Sequence, residues 1–336
     1  MRIVVCHSAH ERCGIRQYGQ QLDRSLAAIP GLELEACDYS NLGSAMETSR
    51  AGDVFLFHYE PQLPGDWTLF ARRLATLRAS GCKTAFVCHW YSEWVPHEYG
   101  QLVDLFIRHR YYDGRSFGRR IVEIPLACPT YVPKTSRAEL RARFGMPAPG
   151  EGLVLTTVGF LTKWKRMPES IDRLLAELSD LPRAVVHVQA PWPFDVEGSG
   201  AAEEDTQLRS LVARYEGRLH FSTDFVPEEE LLDRVHASDL GFVFHGRDTD
   251  SVSAATKQFV SARTPVVVTD STHASDLQQG VRRVGGFDPG TFAKEVVRIA
   301  RDVEEHQRLS DGIRREYERI NMDAVAKRYE EELRKL

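Results

Sequence analysis

The sequence predicts a doubly wound α/β protein of two domains, and three observations carry that expectation. Short apolar or β-branched runs alternate with helix-compatible stretches, the pattern of βαβ units on a parallel sheet. The 336 residues suffice for two cores of ordinary size. Between the two alternating halves, residues 128–152 hold Pro129, Pro133, Pro147 and Pro149 and read as a linker.

In the first half, Arg2–Cys6 is a continuous apolar run suited to the middle of a parallel sheet. Gly14-Ile15-Arg16-Gln17-Tyr18-Gly19 then opens a helix with Leu22 and Leu26 on one face. Leu32–Asp38 and Asp53–His58 are further strands, Trp67–Ala79 an amphipathic helix, and Lys83–Cys88 a strand that runs into His89. Val122–Pro125 is the last strand expected before the linker. In the second half the strands are Leu153–Gly159, Ala184–Gln189, Leu219–Ser222, Leu240–Phe244 and Pro265–Thr269. Helices are expected at Ser170–Leu178, Leu208–Tyr215 and Ser253–Ala262, and residues 198–205 read as a small, acidic, mobile loop. Residues 287–336 are charged and amphipathic, and therefore helical.

Composition excludes several classes. Hydrophobic content of 42% and charged content of 27% are those of a soluble globular chain. Forty-three basic against 48 acidic residues give a formal net charge of −5, so no general attraction to nucleic acid is expected. The six cysteines, Cys6, Cys13, Cys37, Cys82, Cys88 and Cys128, fall mostly in or beside apolar runs, where buried free thiols are expected. Met1-Arg2 leads straight into a strand and not into a signal peptide, and no apolar run reaches the roughly 20 residues of a membrane span. A cytoplasmic protein is expected, at most peripheral to a membrane.

Ligands of parallel α/β sheets sit beyond the carboxyl ends of the strands. The stretch from Ala237 to Asp270 reads as strand, polar loop, helix, strand. Its loop places Asp248, Asp250, Ser251 and Ser253 at a helix amino end, where exposed N–H groups and the helix dipole favour a phosphate. Ser238-Asp239 and Ala262-Arg263-Thr264-Pro265-Val266-Val267 bracket that loop and helix. This pattern resembles the donor segment of the retaining, GT-B-fold glycosyltransferases, in which a strand, a pair of Glu residues and "A-x-G-x-P-V-V" follow one another. Asp250 and Gln258 stand where that family has its two Glu residues. The altered pair retains hydrogen-bonding capacity, with shorter reach and one charge fewer.

The resemblance extends in order along nearly the whole chain. Thr157-Val158-Gly159-Phe160-Leu161-Thr162-Lys163-Trp164-Lys165-Arg166 is similar to the family's "V-G-R-L-x-x-x-K-G" phosphate loop, with Lys165 at the lysine and Phe160 in place of its arginine. Arg166 and Lys163 are the neighbouring cations that could compensate, though no feature of the sequence assigns the role to either. Gly14 is similar to the family's N-terminal glycine loop, and Ile124-Pro125 to its "v-I-P-h-G" segment without the glycine. Val226, in Phe225-Val226-Pro227-Glu228-Glu229-Glu230-Leu231, matches the loop that touches the nucleotide base. The histidine following the family's corresponding strand donates to the reacting sugar, which implies that role for His89.

What the resemblance implies is a GT-B protein: two Rossmann-like domains, 1–150 and 151–320, with parallel sheets facing across a cleft, and a last helix, 321–336, crossing back. Catalytic roles fall to His89, Asp250 and Lys165. Donor binding falls to Gly14, Gly159, Lys165, Arg166, Val226, Ser251, Ser253 and Gln258. The donor would be a UDP- or GDP-type sugar and the acceptor a sugar, lipid-linked or small-molecule hydroxyl. The reaction would need no metal and no cofactor. A catalytically altered binding protein of the same fold and a nucleotide-sugar epimerase remain as alternatives, with a phosphorylase weakened by the lack of a marked pyridoxal-phosphate lysine.

Other features read two ways. Glu60 either orients an acceptor or His89, or is a solvated loop carboxylate before a proline. The aromatic stretch Tyr91–Tyr99 either stacks on a ligand or packs on its own domain. Arg108, Arg110, Arg115, Arg119 and Arg120 form either a solvated face or a contact for anionic lipid or an acceptor phosphate. Cys6, His10 and Cys13 have ligand-like spacing without an obvious fourth ligand. Asp248 and Asp250 have the spacing of a metal-binding pair, a minority reading.

Overall fold

Two six-stranded parallel sheets organise the chain. The computed structural model describes residues 1–10, 13–60, 63–89, 97–110, 120–193, 198–248 and 251–336. The chain divides into two compact units. Unit 1 comprises residues 1–127, 250–252 and 320–336, and unit 2 comprises residues 128–249 and 253–319.

Unit 1 runs β1 (Arg2–His7), α1 (Gly14–Ala27), β2 (Glu33–Asp38), α2 (Leu42–Glu47), β3 (Val54–Tyr59), α3 (Trp67–Ala79), β4 (Lys83–Cys88), α4 (His97–Gly100), β5 (Leu105–Arg108) and β6 (Arg120–Glu123). The strand order is β2-β1-β3-β4-β5-β6. The interior strands are buried on both faces, which is why they read as unbroken apolar runs. One side of the sheet is covered by α3 through Phe70, Leu74 and Leu77. These meet Phe55, Phe57, Phe86 and Phe106 in an aromatic core.

Unit 2 runs α5 (Arg137–Arg143), β7 (Val154–Val158), α6 (Met167–Glu177), β8 (Val185–Gln189), α7 (Ala201–Arg214), β9 (Leu219–Ser222), α8 (Glu228–Ala237), β10 (Leu240–Val243), α9 (Ala254–Ala262), β11 (Val266–Thr269), β12 (Val281–Val284), α10 (Pro289–Arg301) and α11 (Val303–Ile320). Its sheet order is β12-β11-β10-β7-β8-β9. On one face Leu155, Val186, Phe242 and Val267 pack with Ile171 and Leu174 of α6 and Phe292 and Val296 of α10. On the other, α9 lies so close to β10 that a Cβ on Gly241 would fall 2.2 Å from the Phe259 ring. Glycine at 241 is thus what seats α9. The last helix, α12 (Met322–Leu333), belongs to unit 1, where Asp323 accepts from Ser25 of α1 and Glu332 pairs with Arg120.

Besides α2 and α4, which the sequence reading did not anticipate, and a strand expected at Val122–Pro125 that lies at Arg120–Glu123, four elements depart from it. The strand β5 was not anticipated, because four residues with a terminal arginine give too little pattern. β12 carries Arg282 and Arg283 at the sheet edge, where charged side chains reach solvent. Residues 201–205, expected in a mobile loop, form the first turn of α7. Glu203 and Glu204 lie there at the positive end of the helix dipole. Within residues 128–152, α5 begins in a capping box of Ser136 and Glu139. Its Arg137 and Arg141 grip Asp239, whose carboxylate also accepts from the Val154 amide.

Candidate functional site

Unit 2 gathers its chemistry at the carboxyl ends of β7, β10 and β11. After β7 the chain turns at Gly159, whose φ of +118° is a conformation reserved for glycine. A short 3-10 turn, Lys163–Lys165, follows and ends in left-handed Arg166 (φ 44°). This turn folds Lys165 back, so that its Nζ donates to the Phe160 carbonyl at 2.9 Å. A Cβ on Gly159 would stand 2.6 Å from that Nζ and 3.1 Å from Ala255 Cβ. Gly159, the Lys165 ammonium and the first turn of α9 therefore converge on one spot.

Lys165 is 8% exposed, and burial pushes its ammonium down to about 8. It remains mostly charged at neutral pH. His245, at the end of β10, lies beside it in a 3.7 Å stack with His273. Burial, then His273, then Lys165 hold His245 well below the usual histidine range, so it is neutral.

Among the described residues no side chain caps the amino end of α9. Ser253 occupies its N-cap without a side-chain cap, and no acid lies in the first turn. Ala254 is exposed, so the end is open to a ligand. The end is also fixed in place: the Ser253 amide donates to the His273 carbonyl at 2.8 Å, and buried Lys257 pairs with buried Asp276 at 2.8 Å. Gln258 follows Ala254 and Ala255 one turn on, on the same face. Its Oε1 is buried and has no hydrogen-bond partner among the described residues. A buried acceptor of this kind calls for a partner beyond the described side chains.

The other expected residues separate into those that join this spot and those that do not. Ser251 is half-buried ahead of α9, and Asp250 lies outside the described residues. Arg166 turns away: its guanidinium binds Glu169 and the Phe287 carbonyl, so it does not replace the family arginine beside Lys165. Lys163 packs against Gly200 instead. Val226 is half-buried just before α8. Beside it, the rings of Phe160 and Phe225 lie 6.5 Å apart and within 19° of parallel, and Phe225 is 41% exposed. Phe160 thus puts a ring face where the family has a charge.

In unit 1, Gly14 opens α1, is exposed, and has open space where a Cβ would stand. Its backbone needs no left-handed turn, so the fold itself does not demand glycine there. His89 follows β4 within a row of four histidines that the sequence reading missed. His7, His58, His89 and His109 stand at the carboxyl ends of β1, β3, β4 and β5, with successive ring centroids 5.1, 5.4 and 5.1 Å apart. Tyr18 of α1 meets His58, His89 and His109 edge-on. Both nitrogens of His89 face other imidazoles: Nε2 lies 3.1 Å from His58 Nδ1, and Nδ1 lies 3.4 Å from His109 Nε2. Burial, and then the neighbouring imidazoles, hold His58 and His89 well below the usual histidine range. The signal was legible: each of these strands closes with a histidine at or just past its end.

Glu60 ends the described run after β3. Most of Tyr91–Tyr99, with Arg115 and Arg119, lies outside the described residues, and Arg120 is paired with Glu332. Among the described residues no group of three or more His, Cys, Asp or Glu is placed to hold a metal, and no helix is long and apolar enough to cross a membrane.

No family model and no curated sequence matches the chain. Solved structures do. The N-terminal domain of trehalose-6-phosphate phosphatase from Candida albicans matches at TM-score 0.75 and 11% identity, over 99% of this chain and 96% of that one. A UDP-forming trehalose-phosphate synthase from Burkholderia xenovorans, in complex with glucose-6-phosphate, matches at 0.70 and 14%, over 99% and 100%. HepE from Anabaena, in complex with UDP and glucose, matches at 0.71 and 12%, over all of both chains. At these identities the likeness is one of fold, and the fold is GT-B.

Proposed function

We propose that this GT-B chain is a glycosyltransferase that moves a sugar from a nucleoside-diphosphate sugar to an acceptor hydroxyl. The observation that carries the reading is the convergence of Gly159, the Lys165 ammonium and the open amino end of α9. A diphosphate placed there meets backbone N–H groups, the helix dipole and one desolvated cation. A cation beside the leaving phosphate stabilises charge as it develops. Gln258 would accept from the ribose, Phe160, Phe225 and Val226 would bear on the base, and Asp250 and Ser251 would hold the sugar and phosphate.

UDP is favoured as the nucleotide, because the similar structures include a UDP-forming synthase and a complex with UDP. Glucose is the first donor sugar to test and a sugar phosphate the first acceptor. Transfer with retention and without metal accords with the resemblance at the donor segment. The test is UDP release from UDP-glucose with and without glucose-6-phosphate, in the presence of a chelator, with the anomer of the product read by NMR. Acceptor-dependent release with an α-linked product supports the reading. Nucleotide binding without release under any acceptor supports a binding protein of the same fold, the reading favoured by the commitment of Arg166 to Glu169.

A further inference from the structure

We propose that His109 fixes the chemistry of His89, making the histidine row of unit 1 a proton acceptor and not a hydrogen-bond donor. Backbone carbonyls only accept, and His109 Nδ1 lies 3.1 Å from the Ile124 carbonyl. His109 Nδ1 therefore carries its proton, and in the neutral ring Nε2 is a lone pair. That lone pair faces His89 Nδ1 at 3.4 Å, so His89 carries its proton on Nδ1. His89 Nε2 is then a lone pair too, and it accepts from His58 Nδ1 at 3.1 Å. One carbonyl thus sets the tautomer of three rings in succession.

The far end of the row is open. His58 Nε2 becomes a buried lone pair with no partner among the described residues. Its stacked neighbour His7 gives Nε2–H to the Asp23 carboxylate at 2.6 Å, and in the neutral ring His7 Nδ1 is a second such lone pair. A Cβ on Gly19 would fall 2.4 Å from His7 Nδ1, so α1 is pressed against this end. Among the described residues, the ionisable groups seen to face the row are Asp23 and Tyr18 of α1, with Tyr329 of α12 reaching the Tyr18 hydroxyl.

The proton balance is simple. A proton arriving at His58 Nε2 releases the Nδ1 proton of His58 to His89 Nε2. The Nδ1 proton of His89 passes to His109 Nε2. His109 becomes the imidazolium, with its Nδ1–H still given to the Ile124 carbonyl. No bond between heavy atoms changes, and the row has gained one proton. For sugar transfer this inference rests on the function proposed above: His58 Nε2, the unpartnered end of the row, would take a proton or a hydrogen bond from a substrate hydroxyl and relay it through His89, the reverse of the donating role that the resemblance implies for His89. His109 is a positioning residue in this scheme.

The test is long-range ¹H–¹⁵N NMR of the full chain with labelled histidine at pH 7.5. The expected result is Nδ1–H with bare Nε2 at His58, His89 and His109, and Nε2–H at His7. His109→Phe keeps a ring beside Tyr18 but removes both nitrogens, and is expected to leave His89 a mixture of tautomers. His58→Phe is expected to leave His89 wholly Nδ1–H. Circular dichroism confirms that each variant folds, and should His109→Phe fail to, the wild-type spectrum alone decides. Nε2–H at His89 in the wild type, or an unchanged His89 tautomer in folded His109→Phe, overturns the proposal. These shifts read the rings whether or not UDP is released, so failure of the transferase reading remains separate.

Discussion

Replacing Lys165 by methionine tests the donor site through two measurements that should move in opposite directions. Burial lowers the Lys165 ammonium from 10.5 to about 8 in the folded chain. Between those values the unfolded chain binds more protons than the folded one, so stability rises with pH across the interval and is reduced at every pH below it. The interval corresponds to about 3 kcal/mol at pH 7. Methionine keeps the length of the stem and removes the charge. It also strips the Phe160 carbonyl of its donor, which costs about 1 kcal/mol. The net expectation is a variant about 2 kcal/mol more stable in urea at pH 7, with the advantage vanishing as pH rises through 10.5. Binding should move the other way. A charged hydrogen bond to diphosphate contributes about 1.5–3 kcal/mol, so calorimetry should show UDP held roughly 10–100-fold more weakly. In the wild type, UDP affinity should fall about tenfold per pH unit above pH 8, and this dependence should be absent from the variant. A variant that is less stable than wild type, or that binds UDP equally well with the same pH dependence, refutes the placement of a desolvated cation at the diphosphate.

Acid should weaken both units, through His58 and His89 in unit 1 and through His187 and His245 in unit 2. His58 and His89 titrate in the folded chain below their unfolded value, so their stability contribution is intact above pH 6.5 and is lost as pH falls below it. Each should cost about 1.4 kcal/mol per pH unit, readable as a steepening loss of urea midpoint between pH 6.5 and 5. Breaking the Lys257–Asp276 pair by Asp276→Leu should destabilise by about 3–5 kcal/mol, and adding Lys257→Met should restore most of it. Phe225→Ala should weaken UDP by about 1–3 kcal/mol while leaving inorganic pyrophosphate binding unchanged, by competition calorimetry. Gly159→Ala forces a strained φ and places a methyl against Lys165. A loss of about 1–3 kcal/mol is expected in thermal unfolding, together with most UDP binding.

The sequence read well where pattern and physics coincide. Strands such as Val54–Tyr59 and Lys83–Cys88 are buried on both faces, so their apolar runs were plain. The pairing of Gly159 with Lys165 was legible because one βα turn holds both. What stayed hidden depends on contacts distant in sequence. Arg166 pairs locally with Glu169, but its bond to the Phe287 carbonyl, 121 residues away, could not be read from the surrounding sequence. The stacking of Phe160 on Phe225 joins turns after β7 and β9, and the histidine row joins four strands. β12 escaped because an edge strand can carry two arginines.

The tethering of α9 has a consequence for how such a chain could diversify. Clipped to the segment after β11 by a main-chain bond from Ser253 and an ion pair from Lys257, and pressed onto Gly241, the helix has no room to slide. The anchor proposed for the diphosphate is therefore fixed in place, while Phe160, Phe225 and Gln258 are side chains that can be exchanged around it. A shift in nucleotide preference would need only these to change, with the backbone left as it stands.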